Sequence, residues 1–226
     1  MKRHIIFDLD GTLVDSALVC VEILNEMLAE RGNPVRIRHD EAKPYLSLGG
    51  ATMVKALLGP ACGNPDQDII EFRDRYTVRP TPGESVFKGV RDGLAMLHRQ
   101  GFSLSICSNK PQHLCEKVLR ELDLAHLFNV VVGTRRGVSP KPAPDLMDIT
   151  LDAIGISIEQ CIFVGDSDLD HEVALACGIP FYFATYGYAE KDWHAADAIR
   201  FDCFSDLVTL LSPPVAAMES ETASAQ

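Results

Sequence analysis

Hydrophobic positions along the chain follow two rhythms. Ile5, Ile6 and Phe7 form a short unbroken apolar run, the mark of a strand buried on both faces of a parallel sheet. Gly11 and Thr12 break it. Farther on the rhythm turns helical. Cys20, Ile23, Leu24, Met27 and Leu28 share one face at a 3.6-residue period, and Gly32 closes the run. Shorter helical patterns cover 51–58 and 66–76, and no strand is predicted between 33 and 80. Arg79-Pro80-Thr81-Pro82-Gly83 reads as a linker.

After the linker the two rhythms alternate. Helices are predicted over 89–100, 112–122, 143–153, 170–177 and 204–211, and strands over 102–107, 130–132, 161–164 and 180–184. This predicts an α/β fold, a doubly wound parallel sheet with helices on both faces. The first strand belongs to that sheet. Residues 1–15 and 81–212 therefore form the α/β core, and 16–80 form a small all-α insertion. Pro213-Pro214 and the small, acidic residues after it predict a disordered tail over 213–226.

Composition narrows the function classes. Of 226 residues, 46% are hydrophobic and 23% charged, as in ordinary globular proteins. A net charge of -11 argues against nonspecific binding to nucleic acid or anionic membranes. No apolar run has bilayer length, and the N-terminus lacks a signal-peptide pattern. The seven cysteines contain no C-x-x-C pair. They read as reduced thiols of a cytoplasmic protein, either monomer or homodimer.

The informative positions lie just after the strands. The first strand ends in Asp8-Leu9-Asp10, the second in Ser108-Asn109-Lys110, and the fourth in Gly165-Asp166-Ser167-Asp168-Leu169-Asp170. The loop after the third leads to Ser139-Pro140-Lys141-Pro142. A doubly wound sheet brings these strand ends to one crevice. Asp8 and Asp10, at i and i+2, point the same way in a regular strand and repel unless a cation or proton sits between them. That is costly for a structural role and useful for divalent-metal chemistry.

These four segments (D-x-D-G-T, S-N, an isolated K-P and G-D-S-x-x-D), each after an apolar strand, resemble the haloacid dehalogenase superfamily. Ser108-Asn109-Lys110-Pro111, Lys141-Pro142-Ala143-Pro144 and the early helical insertion are similar to its phosphoglycolate-phosphatase-like branch. The resemblance implies a magnesium-dependent phosphatase acting on a small phosphorylated metabolite. Asp8 would be the nucleophile that forms an aspartyl-phosphate. Asp10 would be the general acid and then base, protonated when substrate binds. Asp8, Asp166 and the carbonyl of Asp10 would hold Mg2+, with Asp170 a second acid nearby. Ser108, Asn109 and Lys141 would grip the transferring phosphoryl group. The insertion would be a cap, with Lys43, Tyr45 and Ser47 in its substrate-specificity loop.

Asp10 argues against dehalogenase chemistry, which needs no second aspartate. The resemblance leaves two alternatives. β-Phosphoglucomutases carry a histidine in the first insertion helix, and Ser16-Ala17-Leu18-Val19-Cys20-Val21 has none. A non-catalytic phosphometabolite-binding protein would not need the full set of Asp8, Asp10, Ser108, Lys141 and Asp166. With no arginine between Arg38 and Arg73, the loop does not single out a carboxylate-bearing substrate. Phosphoglycolate, sugar phosphates and nucleoside monophosphates stay open. Asp168 reads as a helix-terminal charge, His171 as structural and Cys107 as core.

Overall fold

The computed structural model describes residues 4–48, 50–189, 193 and 195–212. Its elements in chain order are β1 (His4–Phe7), α1 (Ala17–Glu30), α2 (His39–Leu46), α3 (Gly50–Leu58), α4 (Pro65–Val78), α5 (Val90–Arg99), β2 (Ser103–Pro111), α6 (Gln112–Glu121), β3 (Val130–Thr134), α7 (Asp145–Ile154), β4 (Cys161–Gly165), α8 (Asp168–Cys177), β5 (Phe181–Ala184), β6 (Ile199–Phe201) and α9 (Phe204–Leu211).

The strands form one sheet in the order β3-β2-β1-β4-β5-β6, and every neighbouring pair is parallel. This is the doubly wound fold expected from the sequence. The strand order reverses at β1, which lies between β2 and β4. Such a reversal opens a crevice at the carboxyl ends of the strands. Phe7 stands opposite Ile106 on one side and Val164 on the other. The Asp8 N–H donates to the Val164 carbonyl at 2.8 Å, so Asp8 emerges directly from the sheet.

Period-two geometry explains the all-apolar β1. Ile5 and Phe7 join the apolar cluster on one face of the sheet, and Ile6 joins the cluster on the other. All three are fully buried. Each such burial contributes about 1.5–3 kcal/mol. Helices α5, α6, α9 and the insertion cover the first face, while α7 and α8 cover the second.

Four helices, α1–α4, lie between β1 and α5. α1 buries Cys20, Ile23, Leu24, Met27 and Leu28, the face predicted from the 3.6 period. α4 begins where the Asn64 side chain accepts from the Asp66 N–H at 2.9 Å, with Pro65 in its first turn. Two elements depart from the prediction. Lys43 and Tyr45, read as loop residues, lie in α2, which includes Pro44. Only one intrahelical bond is lost in so short a helix. β6 is three residues long and includes the charged Arg200, too little pattern to mark a strand. Gly49, in the expected specificity loop, and the tail over 213–226 lie outside the described residues. Among the described residues no helix is long and apolar enough to cross a membrane, and none of the seven cysteines forms a disulfide.

Candidate active site

The carboxyl ends of β1, β2 and β4 and the loop before α7 bring Asp8, Asp10, Ser108, Asn109, Lys141, Asp166 and Asp170 around one cavity. It encloses about 90 Å³. The insertion supplies the rest of the lining, including Ser47, Phe72, Arg73 and Tyr76.

Asp8, Asp166 and Asp170 are buried, and each offers an oxygen within 4.8 Å of the others'. The Lys141 ammonium donates to Asp8 Oδ1 at 2.9 Å, Asp170 Oδ1 at 2.6 Å and the Cys107 carbonyl at 3.0 Å. Burial opposes its charge, but Asp170 and Asp8 hold its pKa above the ordinary lysine value. One ammonium among three carboxylates leaves two negative charges without a partner. Burial pushes the Asp8 carboxyl up to about 6; Lys141 opposes this, and the Asp170 and Asp10 charges reinforce it. Burial, then the charges of Asp170 and Asp8, push Asp166 well above the carboxylate range. Hard oxygens with a deficit of two positive charges match a divalent ion such as Mg2+.

Backbone and glycines set this geometry. The Thr12 hydroxyl donates to Asp166 Oδ1 at 2.8 Å, and the Tyr188 N–H donates to Oδ2 at 2.7 Å. A Cβ on Gly11, which has φ of 84°, would lie 2.1 Å from Asp166 Oδ2; one on Gly187 would lie 2.2 Å from the Asp166 Cβ. Both glycines are therefore needed for the close approach of Asp166. Asp170 closes a capping box with Ser167 at the start of α8. Its Oδ2 accepts from the Ser167 hydroxyl at 2.7 Å and the Asp166 N–H at 3.2 Å, while its Oδ1 meets Lys141.

The Asn109 side chain holds the Lys141 peptide: Nδ2 donates to the Lys141 carbonyl at 3.0 Å, and Oδ1 accepts from its N–H at 2.7 Å. It positions the lysine loop. The Asp10 side chain meets Lys110, whose Nζ lies 2.8 Å from Oδ2, and it also accepts from the Ser16 hydroxyl. Its carboxylate stands apart from the acidic trio. Lys43 and Tyr45 do not line the cavity, whereas Ser47 does. Helical phase decides this: Ala42 is the buried position of α2, Leu46 one turn later lines the cavity, and Tyr45 is 40% exposed.

Lys110 was missed. It is buried, and its Nζ sits 4.6 Å from the centre of the Tyr76 ring. Burial works against its charge, but Asp10 together with Tyr76 and Cys20 holds its pKa well above the usual value. A lysine at the end of an otherwise apolar and small-residue strand was the available signal. The Tyr188 hydroxyl, which donates to Asp15 Oδ1 at 2.9 Å, left no sequence signal. Asp168 is exposed at the start of α8; His171 lies 2.9 Å from Asp197 and packs on Phe181 and Trp193; Cys107 is fully buried. All three take the structural places expected of them.

A family model described as haloacid dehalogenase-like hydrolase matches residues 5–184. The chain is 34% identical over 216 residues to a phosphoglycolate phosphatase (plasmid) of Cupriavidus necator, covering 92% of this chain and 93% of that protein. It is 32% identical over 227 residues to a phosphoglycolate phosphatase of Rhodospirillum rubrum, covering 95% and 92%. Its fold resembles the crystal structure of a predicted phosphoglycolate phosphatase from Haemophilus somnus, with TM-score 0.80, 24% identity, and coverage of 93% of this chain and 98% of that one. It also resembles that of CbbY from Rhodobacter sphaeroides in complex with phosphate, with TM-score 0.76, 22% identity, and coverage of 92% and 96%. The chain belongs to the haloacid dehalogenase-like hydrolases and, within them, to the phosphoglycolate-phosphatase-like phosphoric monoester hydrolases.

Proposed function

We propose that the protein hydrolyses a small phosphomonoester in two steps, with Mg2+ as cofactor and an aspartyl-phosphate on Asp8 between them. The observation that carries this reading is the state of Asp8. Its Oδ1 is held by Lys141 at 2.9 Å, and Oδ2 takes no hydrogen bond from the described residues. A fixed carboxylate with one open oxygen beside an ammonium is placed for in-line attack on phosphorus.

Asp8 attacks, the ester oxygen leaves, and Asp10 gives it a proton. Asp10, again a carboxylate, then takes a proton from the water that attacks the aspartyl-phosphate, releasing phosphate and freeing Asp8. Lys110, 2.8 Å from Asp10, holds its side chain in place. Lys141 and Ser108 donate to the phosphoryl oxygens. Asp8 and Asp166, with the Asp10 carbonyl, would hold Mg2+, which offsets negative charge on the phosphoryl group. The Tyr188 N–H and Thr12 hydroxyl keep Asp166 oriented for that role.

Transfer between sugar hydroxyls is the rival reading. Among the described residues no histidine lines the cavity, so nothing there takes the place of the mutase histidine. The relatives' names support phosphoglycolate as a first substrate to assay. Cysteines without disulfides support a reducing, cytoplasmic compartment. The test is phosphate release from a panel of esters (phosphoglycolate, sugar phosphates, nucleoside monophosphates and an aryl phosphate) with Mg2+ or with a chelator. The reading expects Mg2+-dependent release that is strongest for the short esters. Binding without turnover of any ester would overturn it.

A further inference from the structure

The insertion places one unpaired cation against the cavity. Helix α4 presents Ile69, Phe72, Arg73 and Tyr76 at i, i+3, i+4 and i+7, and all four line it. The other arginines that pack between the insertion helices are neutralised. Arg31 pairs with Asp68 and Glu71, Arg75 with Glu30 and Glu71, and Arg79 with Glu22 and Glu26. Arg73 differs because its helical neighbours at three and four residues are Ile69, Ile70, Tyr76 and Thr77, none of them acidic. Its side-chain donors find no acceptor among the described residues.

The guanidinium is half-buried and packs against the start of α3, where a Cβ on Gly50 would come 3.0 Å from Nη2. Burial depresses its pKa, and no nearby carboxylate acts against that. A partly desolvated cation without a counter-ion is unfavourable unless a ligand supplies the anion. Beside it, the buried Tyr76 hydroxyl lies close to Ser16 without making a hydrogen bond of good geometry. Two donors, separated by one helical turn, thus face a cavity whose other anion-binding groups belong to the core.

We propose that Arg73 is a specificity-determining residue that binds a carboxylate on the alcohol part of the substrate, as a forked, charge-assisted pair. The proposal rests on the phosphatase reading and deepens it: the substrate is a short phosphate ester that carries a second anion. Asp8, Ser108 and Lys141 of the core line the same cavity as Arg73. Phe72 and Ile69, on the same helical face, flank the guanidinium with apolar surface, which strengthens its attraction for an anion.

The test compares two esters of similar length on the Mg2+-loaded enzyme, phosphoglycolate and 2-hydroxyethyl phosphate. Wild type is expected to prefer phosphoglycolate. Arg73→Gln is expected to reduce kcat/KM for phosphoglycolate roughly 10- to 100-fold more than for 2-hydroxyethyl phosphate, chiefly through KM. Arg73→Lys should recover part of the preference. An equal loss on both esters, or no loss on phosphoglycolate, would overturn the proposal and leave the phosphatase reading standing. If wild type turns over neither these esters nor an aryl phosphate, it is the phosphatase reading that fails.

Discussion

Asn109 clasps the peptide of Lys141 from both sides, accepting from its N–H at 2.7 Å and donating to its carbonyl at 3.0 Å. The ammonium that meets Asp8 is thus held by a residue on a neighbouring strand. Asn109→Ala removes two hydrogen bonds of about 1 kcal/mol each and lets the Lys141 loop drift. Thermal melting is expected to fall by the equivalent of about 1–3 kcal/mol. Turnover is expected to fall by roughly 100-fold, as for a displacement of about 1 Å. Wild-type kcat in this variant would show that the clasp does not position the lysine.

Lys110 and Asp10 form the second ion pair of the site, with side chains 7% and 21% exposed. Breaking such a pair from one side is costly because a charge is left without its partner. Lys110→Met should therefore destabilise by about 2–4 kcal/mol. Adding Asp10→Asn should return part of the stability while abolishing turnover, because the proton-transfer group is gone. A double-mutant cycle followed by thermal melting and kinetics checks this. Additive stability losses would show that the two side chains do not interact.

The acidic trio makes a pH-dependent prediction. A carboxyl with a raised folded-state pKa contributes stability that is present below its unfolded value and lost as pH rises through its folded value. For Asp8 that window runs from 3.8 to about 6, and Asp166 extends it upward. In the absence of a divalent ion these two groups lower stability as pH rises through the window. Binding of Mg2+ requires them ionised and offsets their repulsion. The rise in Tm on adding Mg2+ should be small near about pH 4.5 and substantially larger near about pH 8. A shift of equal size at both values would contradict the trio as the metal site.

The parts of the fold and site that show in the sequence are those set by local pattern. β1 announces itself because Ile5, Ile6 and Phe7 must be apolar when both sheet faces are covered. Asp8, Asp10, Ser108 and Asp166 stand at strand ends and Lys141 in the loop after β3, and the parallel sheet then collects them. Long-range pairings do not show. Lys110 meets Asp10 across a sequence separation of 100 residues, so its identity gives no hint of its partner. Arg73 looks like any helical surface arginine until α4 is docked with its face toward the cavity. In α2, Pro44 reads locally as a break, so the outward phase of Lys43 and Tyr45 became visible only in the folded insertion.

The central claim is that Asp8 becomes phosphorylated during turnover. The most direct measurement is acid quenching of the Mg2+-loaded enzyme during steady-state hydrolysis, followed by peptide mass spectrometry. The account predicts a phosphoryl group on Asp8 in the peptide that also carries Asp10. It predicts neither the adduct nor phosphate release from Asp8→Asn. Full activity of that variant, or wild-type turnover with the phosphoryl group on another residue, would contradict it.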